Sequence, residues 1–344
     1  MEPTQRSILT SIGVTLRDFP KSIELAYTSH KLVMRLTKEA AGFSNPINMQ
    51  DTRACFEAWC LIIKAKTEEQ KKEPKLEIVL DVKEITVADY DGKLPKNGHW
   101  GRFLYRILKF SEQYKDWFKL SHDLGEIKEK FKNYLDSNKF VTSAPDKEPK
   151  EDIANYNLES YVEYLFCDSI SAQKDILNLP SRTTIDRQLP VSLFEGTKPS
   201  TTNVVFTRGK SAIDFWAVDG DTINVYELKS DNPMVGIITE IFFYSNYVHD
   251  VFISKSLDHG KGSVEIEDGT YRSYDKIKGN KGKQVKGIML SNSNRKGWHS
   301  SLDKPTRNKV KEIMNENDMS EAIQYEFLGY QLNPLKIGGY YISK

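Results

Sequence analysis

The stretch Ser211-Ala-Ile-Asp-Phe-Trp-Ala-Val-Asp-Gly-Asp-Thr-Ile-Asn-Val-Tyr-Glu-Leu-Lys-Ser constrains the fold of this chain more than any other. Two runs rich in β-branched and aromatic residues flank Asp219-Gly220-Asp221, a turn tripeptide, so an antiparallel strand pair is expected here. Along the second run, period-2 alternation puts Ile223, Val225, Glu227 and Lys229 on one face and Tyr226 and Leu228 on the other. Whether Asp214 joins Glu227 depends on the loop. A two-residue Gly220-Asp221 loop sets Asp214 directly opposite Glu227, with Cβ atoms about 5 Å apart. An Asp219-Gly220 loop sets it opposite Val225 and diagonal to Glu227 on the same face. A three-residue loop pairs it with Tyr226 and separates the two acids.

Two carboxylates on the apolar side of a strand repel each other and lose hydration, a cost that calls for a compensating positive charge. A hard divalent cation supplies it, because Mg²⁺ (or Mn²⁺) takes one or two carboxylates and completes its shell with water and phosphate oxygens. The Lys229 ammonium is then expected to help a metal-bound water ionise or to hold it in line with a phosphorus atom.

Asp214 followed by Glu227-Leu228-Lys229 on a hairpin partner resembles the PD-(D/E)XK nuclease superfamily, whose signature is an acid on one strand and E-x-K on the next. The resemblance covers about residues 155–255. It implies an α/β (α+β) fold built on a restriction-endonuclease-like mixed sheet flanked by helices. It implies Asp214 and Glu227 as metal ligands, Lys229 as the catalytic lysine and the Leu228 carbonyl as a further ligand. An acid on a preceding helix is also implied, either Glu159 or Glu163 of Leu158-Glu-Ser-Tyr-Val-Glu-Tyr-Leu-Phe, which share one helix face, with Glu159 preferred. Ile213 stands where the signature has Pro. The apolar run from Pro233 to Phe252 matches the helix that follows E-x-K in such nucleases, with Asn232 as N-cap and Pro233 at N1. An exonuclease-like branch carries Q-x-x-x-Y there, and this chain has Glu240-x-x-x-Tyr244, with an acid in place of the amide. DNA rather than RNA, and a bacterial restriction or defence role, follow from the same resemblance.

E-x-K alone carries little, since it starts at Glu69, Glu73, Glu126, Glu148 and Glu227. Only at Glu227 does it end a strand that is paired through a turn to another strand bearing an acid.

Charge sharpens the contrast. The formal net charge is +1, which excludes a general polycationic coat, but it conceals net −10 over residues 151–268 and net +10 over 269–311. Beside a metal site, Lys210, Lys276, Lys278, Lys281, Lys283, Arg295 and Lys296 are the expected contacts to a phosphodiester backbone, sequence-independent and salt-sensitive. Trp298 and His299 lie within that run and read as ordinary loop residues. No Gly-rich loop of the kind that cradles nucleotide phosphates is present, which excludes a nucleotide-driven motor within this chain.

The 142–152 segment, with two prolines and dense charge, reads as a linker between a mainly helical N-terminal domain over 1–141 and a nuclease-like domain over 153–344 with a basic insertion at about 258–284. In the first part Leu76–Val82 is the one clear strand, and Trp100–Lys119 reads as an amphipathic helix with Arg102, Arg106 and Lys109 on its solvated face. The N-terminal domain is expected to recognise a sequence, a partner or a trigger, and a homodimer or a partner subunit fits the same scheme. Cys55, Cys60 and Cys167 form no C-x-x-C pair, Met1–Ile12 lacks the pattern of a secretory signal, and no run of about 18 apolar residues occurs. The expected setting is a reducing cytoplasm, without a membrane span.

Overall fold

The protein is described here by a computed structural model covering residues 5–11, 18–28, 30–69, 75–90, 94, 98–142, 157–181, 183–257, 277, 282–335 and 340–344. The expected linker, apart from Thr142, and most of the basic insertion lie outside these residues.

The first part of the chain runs α1 (Gln5–Ser11), β1 (Glu24–Thr28), β2 (Lys31–Leu36), α2 (Phe56–Glu69), β3 (Glu77–Val82), α3 (His99–Gln113), β4 (Phe118–Leu120), α4 (His122–Ser137) and β5 (Phe140–Val141). The expectation of a mainly helical unit with one strand needs correction. Strands β1 to β4 form a sheet in that order, with β1 antiparallel to β2 and β2, β3 and β4 parallel. Its second strand alternates in the way a one-sided strand must, burying Leu32, Met34 and Leu36 while Lys31 and Arg35 stay exposed.

The second part runs α5 (Leu158–Asp168), α6 (Ile170–Asp175), β6 (Thr184–Glu195), β7 (Val204–Asp219), β8 (Thr222–Lys229), α7 (Gly236–Val248), β9 (Gln284–Asn292), α8 (Lys304–Asn315), β10 (Ile323–Pro334) and β11 (Tyr340–Ser343). These strands and β5 build a seven-stranded mixed sheet in the order β11-β10-β9-β8-β7-β6-β5. The β8, β9 and β10 strands are parallel, and the other neighbours are antiparallel. The chain is thus a mixed α/β protein with helix-flanked mixed sheets.

The two faces of the seven-stranded sheet are covered differently. On one, Phe166 of α5 stacks on Phe215 at 5.3 Å, and Phe215 on Tyr226 at 4.4 Å, closing a cluster with Leu228 and Leu290. On the other lies α7, apolar nearly all round because all thirteen of its residues are buried. It begins at Gly236, not at Pro233 as expected, and Val235 rather than Asn232 is its N-cap. A Cβ on Gly236 would come within 2.1 Å of the Gln50 carbonyl oxygen, so only glycine allows this helix start to meet the N-terminal part.

That contact belongs to a broad joint. One buried cluster runs from Ile8 through Trp59, Phe110 and Phe242 to Tyr325, spanning both sides of the expected linker. Polar bonds cross it as well. Arg106 of α3 donates through Nε to Glu57 of α2 at 2.6 Å, and Thr239 of α7 donates to the same carboxylate at 3.0 Å. Gln113 donates to Asn246 at 2.6 Å, and Tyr105 to Asp250 at 2.8 Å. Arg102 and Arg106 are therefore not on a solvated face: both are buried, and Lys109 is 2.6 Å from Asp250. Removing one member of a buried charge pair leaves the other without compensation. Arg106→Met is accordingly expected to lose about 3–5 kcal/mol in denaturant unfolding. The double change with Glu57→Leu should recover much of that; equal loss in single and double variants would show that the pair is not the cause.

Candidate functional site

The hairpin register decides among the three expected loops. Asp219 pairs with Thr222 and Phe215 with Tyr226, so the loop is Gly220-Asp221, with Gly220 at φ +55° as a primed turn requires. One step further in the same register, Asp214 stands opposite Glu227. The Leu228 amide donates to Asp214 Oδ2 at 2.8 Å. The side chain of Leu228 lies on the other face, in the aromatic cluster.

Lys229 ends β8 and gathers carboxylates from three elements. Its ammonium donates to Glu227 Oε1 at 2.7 Å and lies 3.1 Å from Glu240 Oε2 on α7 and 3.9 Å from Glu159 Oε1 on α5. Glu163, one turn further along α5, accepts from the Gln188 side chain at 2.6 Å. Gln188 holds a left-handed backbone, φ +55°, in the middle of β6, a strain that clusters at sites where a side chain has to be aimed. Both candidate acids of α5 thus approach the site. Glu159 meets Lys229, and Glu163 acts electrostatically on Asp214.

Three carboxylates therefore lie within 4 Å of one ammonium, and Asp214 and Glu163 act on it electrostatically from further off. Burial pushes the pKa of Asp214 well up against the pull of Lys229, and Glu163 and Glu159 add to the rise. Burial raises Glu227 in the same way, reinforced by Asp214 and Glu240. Burial also raises Glu159, and it lifts Glu163 to about 7. For Lys229, burial alone would lower the pKa, but Glu227, Glu240, Asp214 and Glu159 outweigh it and hold the side chain cationic. Burial and the charges of Glu227, Glu240 and Asp214 keep Tyr244 a neutral phenol.

The donor set suits a hard cation. Glu227 Oε2 is buried and accepts no hydrogen bond among the described residues, an oxygen with a lone pair to spare in an acid-rich pocket. Glu240 Oε2 likewise has no hydrogen bond, its contact with Lys229 being one of charge and distance. Among the described residues no three His, Cys, Asp or Glu side chains form a ready metal cage. Two carboxylates with water suffice for Mg²⁺, however, and Asp214 with Glu227 supplies that pair.

The expected basic clamp is only partly assembled. Arg295 lies close, its guanidinium 2.7 Å from Asp231, two residues beyond Lys229. Lys296 beside it is exposed. Lys283 is at the wrong end: its ammonium pairs with Asp221 of the hairpin loop at 2.8 Å, while Lys229 pairs with Ser291 at the other end of the same parallel ladder. Seven residues of strand, roughly 23 Å, separate the two. Lys276, Lys278, Lys281 and the side chain of Lys210 lie outside the described residues. Trp298 packs on Phe327 and lies under the Arg307 guanidinium, and His299 sits edge-on to Trp59, so neither belongs to the site.

One residue named in the sequence for a solvated helix face turns inward toward the site. Arg102, buried on α3, donates to His99 Nδ1 at 3.0 Å; burial and Arg106 push its pKa down to about 10 against the opposing pull of groups at the site, Glu240 among them. Only its position within an apolar helical stripe could have signalled burial.

Comparison with protein-family models, curated proteins and solved structures finds no match for this chain. The three cysteines are free, and no helix among the described residues is long and apolar enough to cross a membrane.

Proposed function

We propose that this chain is a divalent-metal-dependent nuclease of the PD-(D/E)XK type, hydrolysing phosphodiester bonds with DNA as the favoured substrate. The observation that carries the reading is the convergence of Asp214, Glu227 and Lys229 on one hairpin end, with the ammonium 2.7 Å from Glu227. Asp214 and Glu227 would hold Mg²⁺ or Mn²⁺, with the Leu228 carbonyl as a third ligand. When bound, such an ion lowers the pKa of a coordinated water and screens charge developing on phosphate. Lys229, cationic beside the Asp214 and Glu227 pair, would orient a water and offset negative charge on a phosphate. Glu159 positions Lys229, Glu163 tempers the charge of Asp214, and Glu240 shares the lysine. Tyr244, held neutral, is a hydrogen-bond donor for a phosphate oxygen. Arg295 and Lys296 contact the backbone of the substrate. A restriction or phage-defence role in a bacterial cytoplasm, with the N-terminal part recognising a sequence, partner or trigger, suits this chemistry.

A second reading rests on one specific observation. Lys229 already faces three carboxylates, a self-compensated cluster that a non-catalytic nucleic-acid- or protein-binding module could retain for stability. One experiment separates the two. Plasmid, linear and single-stranded DNA and RNA are incubated with the purified chain and Mg²⁺ or Mn²⁺, beside Lys229→Ala and Asp214→Asn. The nuclease reading expects cleavage that requires the metal and falls at least about 100-fold in both variants. Cleavage unchanged in the variants would sink it, and salt-sensitive binding without cleavage would favour the module.

A further inference from the structure

The rim of the site carries aromatic side chains that the core uses only at Tyr340, which packs against the buried cluster of the seven-stranded sheet. On α5, Tyr161 and Tyr164 stack with ring centroids 6.5 Å apart and planes 28° apart, and Tyr340 of β11 meets Tyr161 edge-on at 6.2 Å. All three are half-buried, and neither Tyr161 nor Tyr164 packs into a buried cluster of the described residues. Two arginines flank them. The Arg187 guanidinium lies 5.7 Å over the Tyr164 ring, and Arg295, bound to Asp231, interacts with Tyr340.

On α5 the tyrosines turn away from the acids: at about 100° per residue, Tyr161 lies about 200° round the helix from Glu159, and Tyr164 about 100° from Glu163, while Arg187 precedes the Gln188 that holds Glu163. The sheet register puts Tyr340 on the same edge. Lys229, Ser291 and Gly329 are level across β8, β9 and β10, and Tyr340 pairs with Pro334, further along β10 in the direction of its carboxyl end. Tyr340 therefore stands beyond the carboxyl ends of the parallel strands, the end at which open α/β sheets present a ligand, and Tyr161 meets it there.

We propose that Tyr161, Tyr164 and Tyr340 form a stacking rail for unpaired bases, so that the substrate taken by this site is single-stranded nucleic acid, with Arg187 and Arg295 on its phosphates. This rests on the nuclease reading and narrows it. Base–aromatic stacking is sequence-tolerant because every base has a π-face, and a guanidinium beside the rings adds cation–π attraction and phosphate contact. A duplex keeps those faces stacked on one another and offers the rail only its sugar–phosphate exterior.

The test is binding, read apart from cleavage. Fluorescence anisotropy of the full chain, with Ca²⁺ in place of Mg²⁺, is measured on labelled single-stranded DNA, single-stranded RNA and duplex DNA of one sequence. Single strands should bind at least about tenfold more tightly than the duplex. Tyr161→Ala with Tyr340→Ala should erase about tenfold of single-strand affinity and leave duplex affinity unchanged, while the two Tyr→Phe changes, which keep the rings, should bind like the parent. The DNA and RNA arms show which sugar is accepted. Equal affinity for duplex, single-strand binding indifferent to the alanines, or a dimer dissolved by the alanines without oligonucleotide binding would each overturn the rail. Tyrosine-independent cleavage of duplex DNA would overturn the rail and leave the nuclease reading standing. Tyrosine-dependent single-strand binding without cleavage in Mg²⁺ would do the reverse.

Discussion

Glu227→Gln is expected to stabilise the metal-free chain while abolishing cleavage. Glu227 is buried, opposite Asp214 and near Glu240, and one of its oxygens has no hydrogen bond among the described residues. Removing its charge relieves repulsion and desolvation and leaves Lys229 with Glu240 and Glu159. A gain of roughly 1–3 kcal/mol is expected, read as a rise of several degrees in thermal midpoint in the presence of a chelator. Lys229→Met should act in the opposite direction, losing about 3–5 kcal/mol by leaving buried carboxylates without their cation. A destabilised Glu227→Gln chain would mean that the cluster is optimised for its own charge and holds no vacancy for a cation.

The second large effect is a dependence of stability on pH that a divalent ion should invert. Glu163 carries a pKa of about 7 in the folded chain against an ordinary value of 4.5, and Asp214, Glu159 and Glu227 are shifted upward too. A raised carboxyl pKa means the native state binds more protons than the unfolded state between the two values. Unfolding free energy then falls as pH rises through that window. The stabilisation is complete below about pH 4.5 and is lost by about pH 7, at most about 3 kcal/mol from Glu163. Thermal unfolding in a chelator should therefore show the midpoint dropping between pH 5 and pH 7.5, and Glu163→Gln should flatten the slope. Millimolar Mg²⁺ or Mn²⁺, which bind the ionised carboxylates, should reverse it. A midpoint that rises with pH in the chelator would contradict the shifted carboxylates.

Local patterns carried the parts of this protein that depend on local chemistry. The Asp219-Gly220-Asp221 tripeptide marked the hairpin, and β8 and α5 begin and end where their periodicity does. Side-chain alternation put Glu227 and Lys229 on one face, but Asp214 joined them in only two of three loop registers, and the pairing of Phe215 with Tyr226 decides among them. What sequence could not supply was pairing across distance. The role of Glu240 beside Lys229 depends on how α7 lies on β8, and the Glu57–Arg106 pair joins residues 49 apart. The charges of α3 looked solvated because no nearby residue announced a partner for them. Lys283 seemed to belong with Arg295 because both lie in one basic run. The parallel β8–β9 ladder sends them to opposite ends. The alternation of β2 is present at Leu32, Met34 and Leu36, and β3 has the same length, so this strand was as legible as its neighbour.

The position of β9 between β8 and β10 has a consequence for synthesis on the ribosome. The strand that bears Glu227 and Lys229 is complete at residue 229, but its neighbour spans 284–292. At ~5–20 residues per second, β8 remains the open border of a growing sheet for roughly 3–12 s. An unpaired apolar strand invites pairing with other nascent chains, and charged side chains are the usual deterrent. Glu227 and Lys229 are the only charged side chains on that border, so the residues proposed for chemistry are also the ones of the kind that deters such pairing.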